Sequence, residues 1–276
     1  MNDVVFKGNK IHIKNIKNFN LKQTLDCGQA FRWKCDASGV WSGIAGDRFI
    51  RIYESGNDIV IENCSKKDFE EFWIDYFDLK RDYESIINEF GSNETLKAAA
   101  EFSSGIRILN QDSWEALCSF IISQNNNIPR IKGIIDRLCE NFGRKTEWGY
   151  TFPSAKELSE LTVEDLAVIR CGFRAKYILD AAKRVSNEEI DLNLLRKADY
   201  NDALAQLLKI KGVGPKVADC ALLYGCGHIE AFPKDVWIKR ALNEFFGGEI
   251  PECALKYAGI AQQYIFYYVR EKAGKI

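Results

Sequence analysis

No apolar run in the 276-residue sequence approaches the roughly 20 residues that a membrane-spanning helix needs. The opening stretch MNDVVFKGNK holds no signal-peptide h-region and no Arg-rich transit pattern. No C-x-x-C pair occurs, and the nine cysteines are scattered, so neither a zinc site nor an iron–sulfur cluster is expected. An odd number of cysteines without a secretion signal does not read as a disulfide framework, and free thiols in a reducing compartment are the expectation. Internal repeats and low-complexity stretches are missing too. So is any excess of positive charge: 38 Lys and Arg against 39 Asp and Glu leave a formal net charge of −1. A protein that holds nucleic acid by charge alone is strongly basic. A nucleic-acid site here must therefore be a local patch, and composition alone neither supports nor excludes one. What remains is a globular chain with no membrane partner, expected in the cytoplasm, or in the nucleus of a eukaryote. Its length allows two or three small domains around a large buried core.

The chain divides by periodicity. Phe31–Lys34, Val40–Ile44, Phe49–Tyr53 and Ile59–Glu62 alternate or cluster apolar residues, with turn chemistry at 36–39, 45–47 and 55–58 between them. That spacing predicts an antiparallel meander within a β-rich unit over residues 1–65. From Ser65 the period becomes helical, with Phe69, Phe72 and Tyr76 on one helix. Further helices are expected over Tyr83–Phe90, Glu94–Phe102, Ser113–Ser123, Ile128–Phe142, Ala155–Leu161, Val163–Val168, Ala175–Ser186, Tyr200–Leu208, Pro215–Leu223, Val236–Phe245 and Glu252–Tyr268. The fold class is α+β. An N-terminal antiparallel β-rich domain with connecting helices (1–105) precedes an all-α body (106–276), which the 252–268 helix completes.

The most informative stretch is Lys209-Ile210-Lys211-Gly212-Val213-Gly214-Pro215-Lys216. An apolar helix end meets Gly-x-Gly, and proline then opens a new helix. Gly212 and Gly214 permit positive φ and close backbone approach. Pro215 suits the first helical turn, where its missing N–H would be unpaired anyway. Such a turn exposes backbone donors at a helix N-terminus, which favours a phosphate, and Lys209 and Lys211 add charge beside it. A bare helix–helix turn is the plainer alternative.

Lys216 lies in the first turn of that second helix, an unfavourable field for a cation. The field and partial burial together favour the neutral amine, which nucleophilic catalysis requires. A second phosphate contact would explain the lysine equally well. Asp235 tips the balance. It reads as the N-cap of the Val236–Phe245 helix, and a cap can present its other oxygen to a neighbouring site. A carboxylate there stabilises positive charge developing at a sugar carbon.

At this point a resemblance enters. Leu207 to Arg240 is similar to the helix–hairpin–helix, Gly/Pro-rich loop and aspartate motif of DNA glycosylases. In that superfamily the lysine marks bifunctional members, which form a Schiff base and nick DNA. Cys27-Gly28-Gln29-Ala30-Phe31-Arg32-Trp33, Ser123-Gln124-Asn125-Asn126-Asn127 with Arg130, Arg170-Cys171-Gly172-Phe173-Arg174, and Gln262 to Phe266 resemble segments of the 8-oxoguanine DNA glycosylase family.

The resemblance implies base excision repair of 8-oxoguanine in duplex DNA, opposite cytosine, by a monomer using no metal and no organic cofactor. By resemblance, the Gly28 carbonyl reads the N7 hydrogen of the oxidised base. Gln262 reads its Watson–Crick edge, and Phe266 and Cys220 cover its two faces. Asn125, Arg130 and Arg174 contact the orphaned cytosine, and Phe173 wedges into the stack where the family often has tyrosine. Gly212, Gly214, Lys211 and Trp237 contact the DNA backbone. Trp237 is a departure, because some members have a histidine there. The pairs Lys216/Cys220 and Gln262/Phe266 are each i, i+4, so each pair shares a helix face, and the two faces can form opposite walls of one pocket. Rival readings are a glycosylase for alkylated purines and a non-catalytic DNA-binding hairpin module.

Overall fold

Alternation in Trp41-Ser42-Gly43-Ile44-Ala45 puts every second residue on one face. In the computed structural model, which describes residues 3–273, those residues are the buried ones. The strands are β1 (Val4–Lys7), β2 (Lys10–Ile13), β3 (Trp33–Cys35), β4 (Trp41–Ala45), β5 (Arg48–Ser55) and β6 (Asp58–Glu62). They form one antiparallel sheet in the order β1-β2-β6-β5-β4-β3. The expected meander therefore covers β3 to β6 only. An N-terminal hairpin, β1–β2, extends it by pairing β2 with β6, with Ile11 opposite Ile61. Register places Ile50 and Ile52 beside these residues, and all four are buried under Trp73 and Phe77. Trp73 and Phe77 come from helical segment 66–77, whose middle turn, Phe69–Trp73, is π-helical.

The body is built from capped helices. Asn93, Asp112, Asn127 and Ser154 each accept a hydrogen bond from the backbone N–H three residues on, which fixes where helices Glu94–Phe102, Ser113–Ser123, Ile128–Phe142 and Ala155–Ser159 begin. Helix Ser113–Ser123 is apolar nearly all round and runs through the centre, burying Trp114, Leu117, Phe120, Ile121 and Ile122. Helices Tyr83–Glu89 and Glu94–Phe102, grouped with the N-terminal unit on sequence, bury Tyr83, Ile86, Leu96 and Ala99 in this helical core. The C-terminal stretch, read as one helix, is a 3-10 segment, Glu252–Tyr257, followed by the α-helix Ala258–Ala273. The 163–168 segment is likewise 3-10, over Asp165–Ile169.

The two cores meet at Gln29, which is fully buried. Its Nε2 donates to the carbonyls of Thr24 and Arg107 at 2.8 Å each, and its Oε1 accepts from Leu109 N–H at 2.9 Å. Its own carbonyl accepts from Gln111 Nε2 at 2.7 Å. Nearby, Arg32 on the sheet side pairs with Glu115 of the central helix at 3.1 Å, both side chains largely buried. Burial raises the Glu115 carboxyl above its ordinary value, against the pull of the Arg32 guanidinium. Gly28, one residue before Gln29, is thereby set against the helical body.

Candidate active site

Helix Tyr200–Leu207 ends just before the hairpin, and helix Pro215–Ala221 begins after it with Pro215 in its first turn. Gly212 has φ +80°, and a Cβ built on it would lie 2.4 Å from the Tyr177 ring, so position 212 accepts no side chain. The Lys211 N–H is already held, donating to Asp180 Oδ2 at 2.8 Å. Among the described residues, the N–H groups of Gly212, Gly214 and Lys216 have no acceptor. Unpartnered donors at a helix N-terminus make an anion site. The Lys211 side chain is exposed beside them.

Lys216 is half-buried, and its Nζ stands 5.4 Å from the centroid of the Phe120 ring. The Cys220 thiol lies one turn further on. Burial pushes that thiol up to about 11, Lys216 draws it down, and Asp219 and Asp235 push it further up. The thiol stays neutral at ordinary pH and does not compete with the amine as a nucleophile. Asp235 is the cap foreseen from sequence: its Oδ1 accepts from Ile238 N–H at 2.8 Å, and its other oxygen has no donor among the described residues. Lys216 and Asp235 both line one cleft of about 1480 Å³, with Gly28, Asn125, Phe173, Gly214, Trp237 and Phe266. That exceeds the ~300–1,000 Å³ of a small-molecule pocket and suits a polymer with one protruding group.

Gly28 and Phe266 lie side by side in the cleft lining. Gly28 has φ +95°, and a Cβ there would lie 3.8 Å from Phe266 Cε1. Cys220, on helix Pro215–Ala221, and Gln262, on helix Ala258–Ala273, are buried, 3% and 4% exposed, and are not part of the cleft lining. The Gln262 Oε1 is buried without a hydrogen-bond partner among the described residues. An orphaned buried acceptor is unfavourable by about 1–3 kcal/mol, which a donor on a bound ligand would relieve.

Across the cleft, Asn125 is exposed at φ +47°, a conformation asparagine tolerates better than most residues. Asn127 caps the next helix by accepting from Arg130 N–H at 3.0 Å, and leaves the Arg130 side chain exposed. Phe173 is 52% exposed on a 3-10 turn, a large apolar ring facing water. Arg174 differs from the expectation of a free cytosine contact. It is buried, donating to the carbonyls of Gln124, Asn125 (3.0 Å) and Cys171 (3.1 Å), and so holds the asparagine turn in shape. Burial lowers the Arg174 pKa, and nearby Arg130 lowers it further. Trp237 is 40% exposed, with Arg240 5.8 Å from its ring.

Sequence reasoning gave no role to several residues of the site. Phe120 lies under the amine. Asp219, buried and lining the cleft, accepts from Tyr200 Oη at 2.6 Å, and burial raises its carboxyl despite that bond. Tyr177 and Asp180 shape the hairpin from helix Ala175–Ser186. Arg270 reaches the Gly28 turn. The i, i+4 spacing of Phe266 and Arg270 was the available signal for the last; the others depend on contacts remote in sequence.

Two family models match in succession: the 8-oxoguanine DNA glycosylase N-terminal domain over residues 11–117, and the HhH-GPD superfamily of base excision DNA repair proteins over residues 118–252. The chain is 32% identical over 265 residues to an N-glycosylase/DNA lyase of Saccharomyces cerevisiae, covering 85% of this chain and 70% of the yeast protein. MBOgg1, solved with a low-affinity DNA ligand, superposes with a TM-score of 0.94 at 43% identity over 99% of both chains. An 8-oxoguanine glycosylase/lyase of Clostridium acetobutylicum, solved with duplex DNA carrying cytosine opposite 8-oxoguanine, gives 0.92 at 39% identity over 98% of both chains. With both models placed end to end along the sheet and the helical body, the chain belongs to the 8-oxoguanine DNA glycosylase family of the HhH-GPD superfamily.

Proposed function

We propose that this protein is a bifunctional glycosylase and lyase that removes 8-oxoguanine from duplex DNA and then nicks the strand, with Lys216 as nucleophile. One observation carries the reading: the Lys216 amine sits half-buried over an aromatic ring, flanked by a neutral thiol and the Asp235 carboxylate. A lysine serving only as a phosphate contact needs none of that enclosure. The family supplies the lesion and the paired cytosine. The protein acts wherever chromosomal DNA lies, in a nucleoid or a nucleus.

The hairpin N–H groups of Gly212 and Gly214 hold a backbone phosphate, with the Lys211 ammonium and the Trp237 indole N–H alongside. The damaged nucleotide swings out, with unstacking opposed by about a few kcal/mol. Phe173 fills the stack, and Asn125 and Arg130 face the orphaned cytosine while Arg174 keeps the asparagine turn in place. The base enters between Phe266 and Cys220, where Gln262 Oε1 gains a donor and the Gly28 carbonyl accepts the N7 hydrogen.

Lys216 Nζ then bonds to the sugar C1′ through its lone pair and gives up a proton. The C1′–N9 bond breaks, and the base leaves with the electron pair and takes up a proton. Asp235 stabilises the positive charge at the sugar as that bond stretches. The sugar ring opens to a Schiff base on Lys216. Loss of a C2′ proton expels the 3′ phosphate oxygen with its electrons, which breaks the strand, and water releases the lysine.

Borohydride tests this reading. It reduces the Schiff base to a stable amine, so wild-type protein is expected to become covalently joined to an 8-oxoguanine duplex, and Lys216→Gln is not. Turnover of an alkylated-purine duplex without turnover of 8-oxoguanine overturns the substrate assignment. Duplex binding without base release from any lesion overturns the enzyme.

A further inference from the structure

The turn Asp26–Gly28 is held from outside by side chains that the chemistry above does not use. The Cys27 carbonyl accepts from Arg270 Nη1 at 3.2 Å and from Gln263 Nε2 at 3.3 Å. The Asp26 carbonyl accepts from Arg270 Nη2 at 3.3 Å, and the Asp26 carboxylate pairs with Lys132 at 2.9 Å. Gln263 is itself fixed, its Oε1 accepting from Tyr224 Oη at 2.5 Å, and Tyr224 stacks at 5.3 Å on Phe120, the ring under Lys216. Arg270 follows Phe266 by one helical turn, and its guanidinium lies 5.6 Å from the Phe266 ring. The same guanidinium stands 3.8 Å from where a Gly28 Cβ would be, and Arg270 lines the cleft. A single side chain thus lies beside the Phe266 ring and grips the two successive carbonyls that precede Gly28.

We propose that Arg270 is a positioning residue for lesion discrimination, which sets the Gly28 carbonyl at a fixed distance from Phe266. The proposal rests on the reading of Gly28 and Phe266 given above. Its physical content is geometric. Discrimination by one carbonyl depends on one hydrogen bond, and such a bond weakens steeply once its angle falls below about 120°. Gly28 lacks a side chain that could brace the turn, so the bracing must come from elsewhere. Arg270 supplies it with a planar fork that spans two acceptors, which an ammonium cannot match with one direction of approach.

An abasic site separates the two activities. It offers Lys216 the same sugar carbon but no base for Gly28 to read. Arg270→Met keeps an apolar stem over Phe266 and Tyr267 and removes the fork. Single-turnover excision of 8-oxoguanine by R270M is expected to fall about tenfold, the size of one misplaced hydrogen bond. Incision of an abasic duplex should stay within about twofold and the melting temperature close to wild type, with Arg270→Lys in between on excision. Equal loss on both substrates, or no loss on either, overturns the proposal. Should the wild-type protein itself fail to excise 8-oxoguanine, the functional reading falls and takes the proposal with it, an outcome visible before any variant is made.

Discussion

The N-terminal sheet and the hairpin face treat their cations in opposite ways. On the sheet, Lys10 and Arg51 both pair with Glu62, Lys14 pairs with Asp58, and Arg48 pairs with Asp47 and Asp68. Burial is mild there, and such pairs contribute little to stability; their effect is to neutralise the surface. Around the cleft, Arg130, Lys209, Lys211, Lys234, Lys239 and Arg240 are exposed, and none forms an ion pair among the described residues. A chain of net charge −1 thereby presents exposed cations without ion pairs beside a cleft whose lining includes Asp219, Glu230 and Asp235. Charge balance over the whole molecule says little about partners when the ion pairs are distributed so unevenly.

That contrast can be broken from its strongest side first. Lys216→Gln should lower base release and nicking by at least about 10³-fold in single-turnover assays while duplex affinity changes by no more than a few-fold. A variant that keeps its rate would move the chemistry elsewhere in the cleft. On the sheet side, Trp73→Ala empties a fully buried site among Trp33, Tyr76 and Phe77, and should destabilise the fold by about 3–5 kcal/mol in denaturant titrations. Per folded molecule its excision rate should match the wild type, whereas a matching fall in rate would show that the sheet core is not merely structural.

Gly212→Ala drives a Cβ into Tyr177 at a left-handed backbone position. It should weaken duplex binding about tenfold or more by filter binding, at a stability loss of about 1–3 kcal/mol. Charge reversal sharpens the comparison further. Lys211→Glu should weaken binding and reduce the salt slope of the affinity by about one, while Lys66→Glu on the sheet side, where Lys66 faces Glu70, should leave both unchanged. The smallest effect concerns thiols. At pH 8, iodoacetamide should label exposed Cys35 before Cys220, slowly, because partial burial and Asp36 raise the Cys35 thiol above its ordinary value. Cys220, buried and pushed up to about 11, should label only after unfolding or as the pH approaches that value. Early labelling of Cys220 would mean that the wall behind the cleft opens readily.

The parts of the fold that were legible in sequence are those with strong local signals. The helix boundaries at Ser113, Ile128, Ala175 and Pro215 follow from cap residues, a proline and a 3.6-residue period. Strands β1 and β2 escaped because each spans only four residues: Val4–Lys7 does not alternate, and the alternation in Lys10–Ile13 is too short to stand out. The partner of β2, β6, lies some 50 residues away, which no local pattern reports. The same limit applies to the site. Lys216 and Asp235 could be paired because a loop motif and a helix cap each announced themselves. Arg174 was expected to contact the orphaned cytosine because the 170–174 segment resembles the family's; that its donors are used by Gln124, Asn125 and Cys171 depends largely on a turn 50 residues earlier in the chain. The helix at Glu94 joined the helical core because its apolar face packs on helix Ala258–Ala273, and the helix at Tyr83 because it packs on the Glu94 helix and the Glu252–Tyr257 segment, at the far end of the sequence.

The amide of Gln29 has a consequence for how the molecule comes apart. It donates to Thr24 in its own segment and to Arg107, and accepts from Leu109, so it ties the 24–29 turn to the 107–109 stretch with no exposure to water that could replace a lost partner. Neither half can melt alone without stranding those groups in an apolar interior, so heating should give one calorimetric transition, with equal van't Hoff and calorimetric enthalpies, despite two separate cores. The joint between them is a hinge that has been welded.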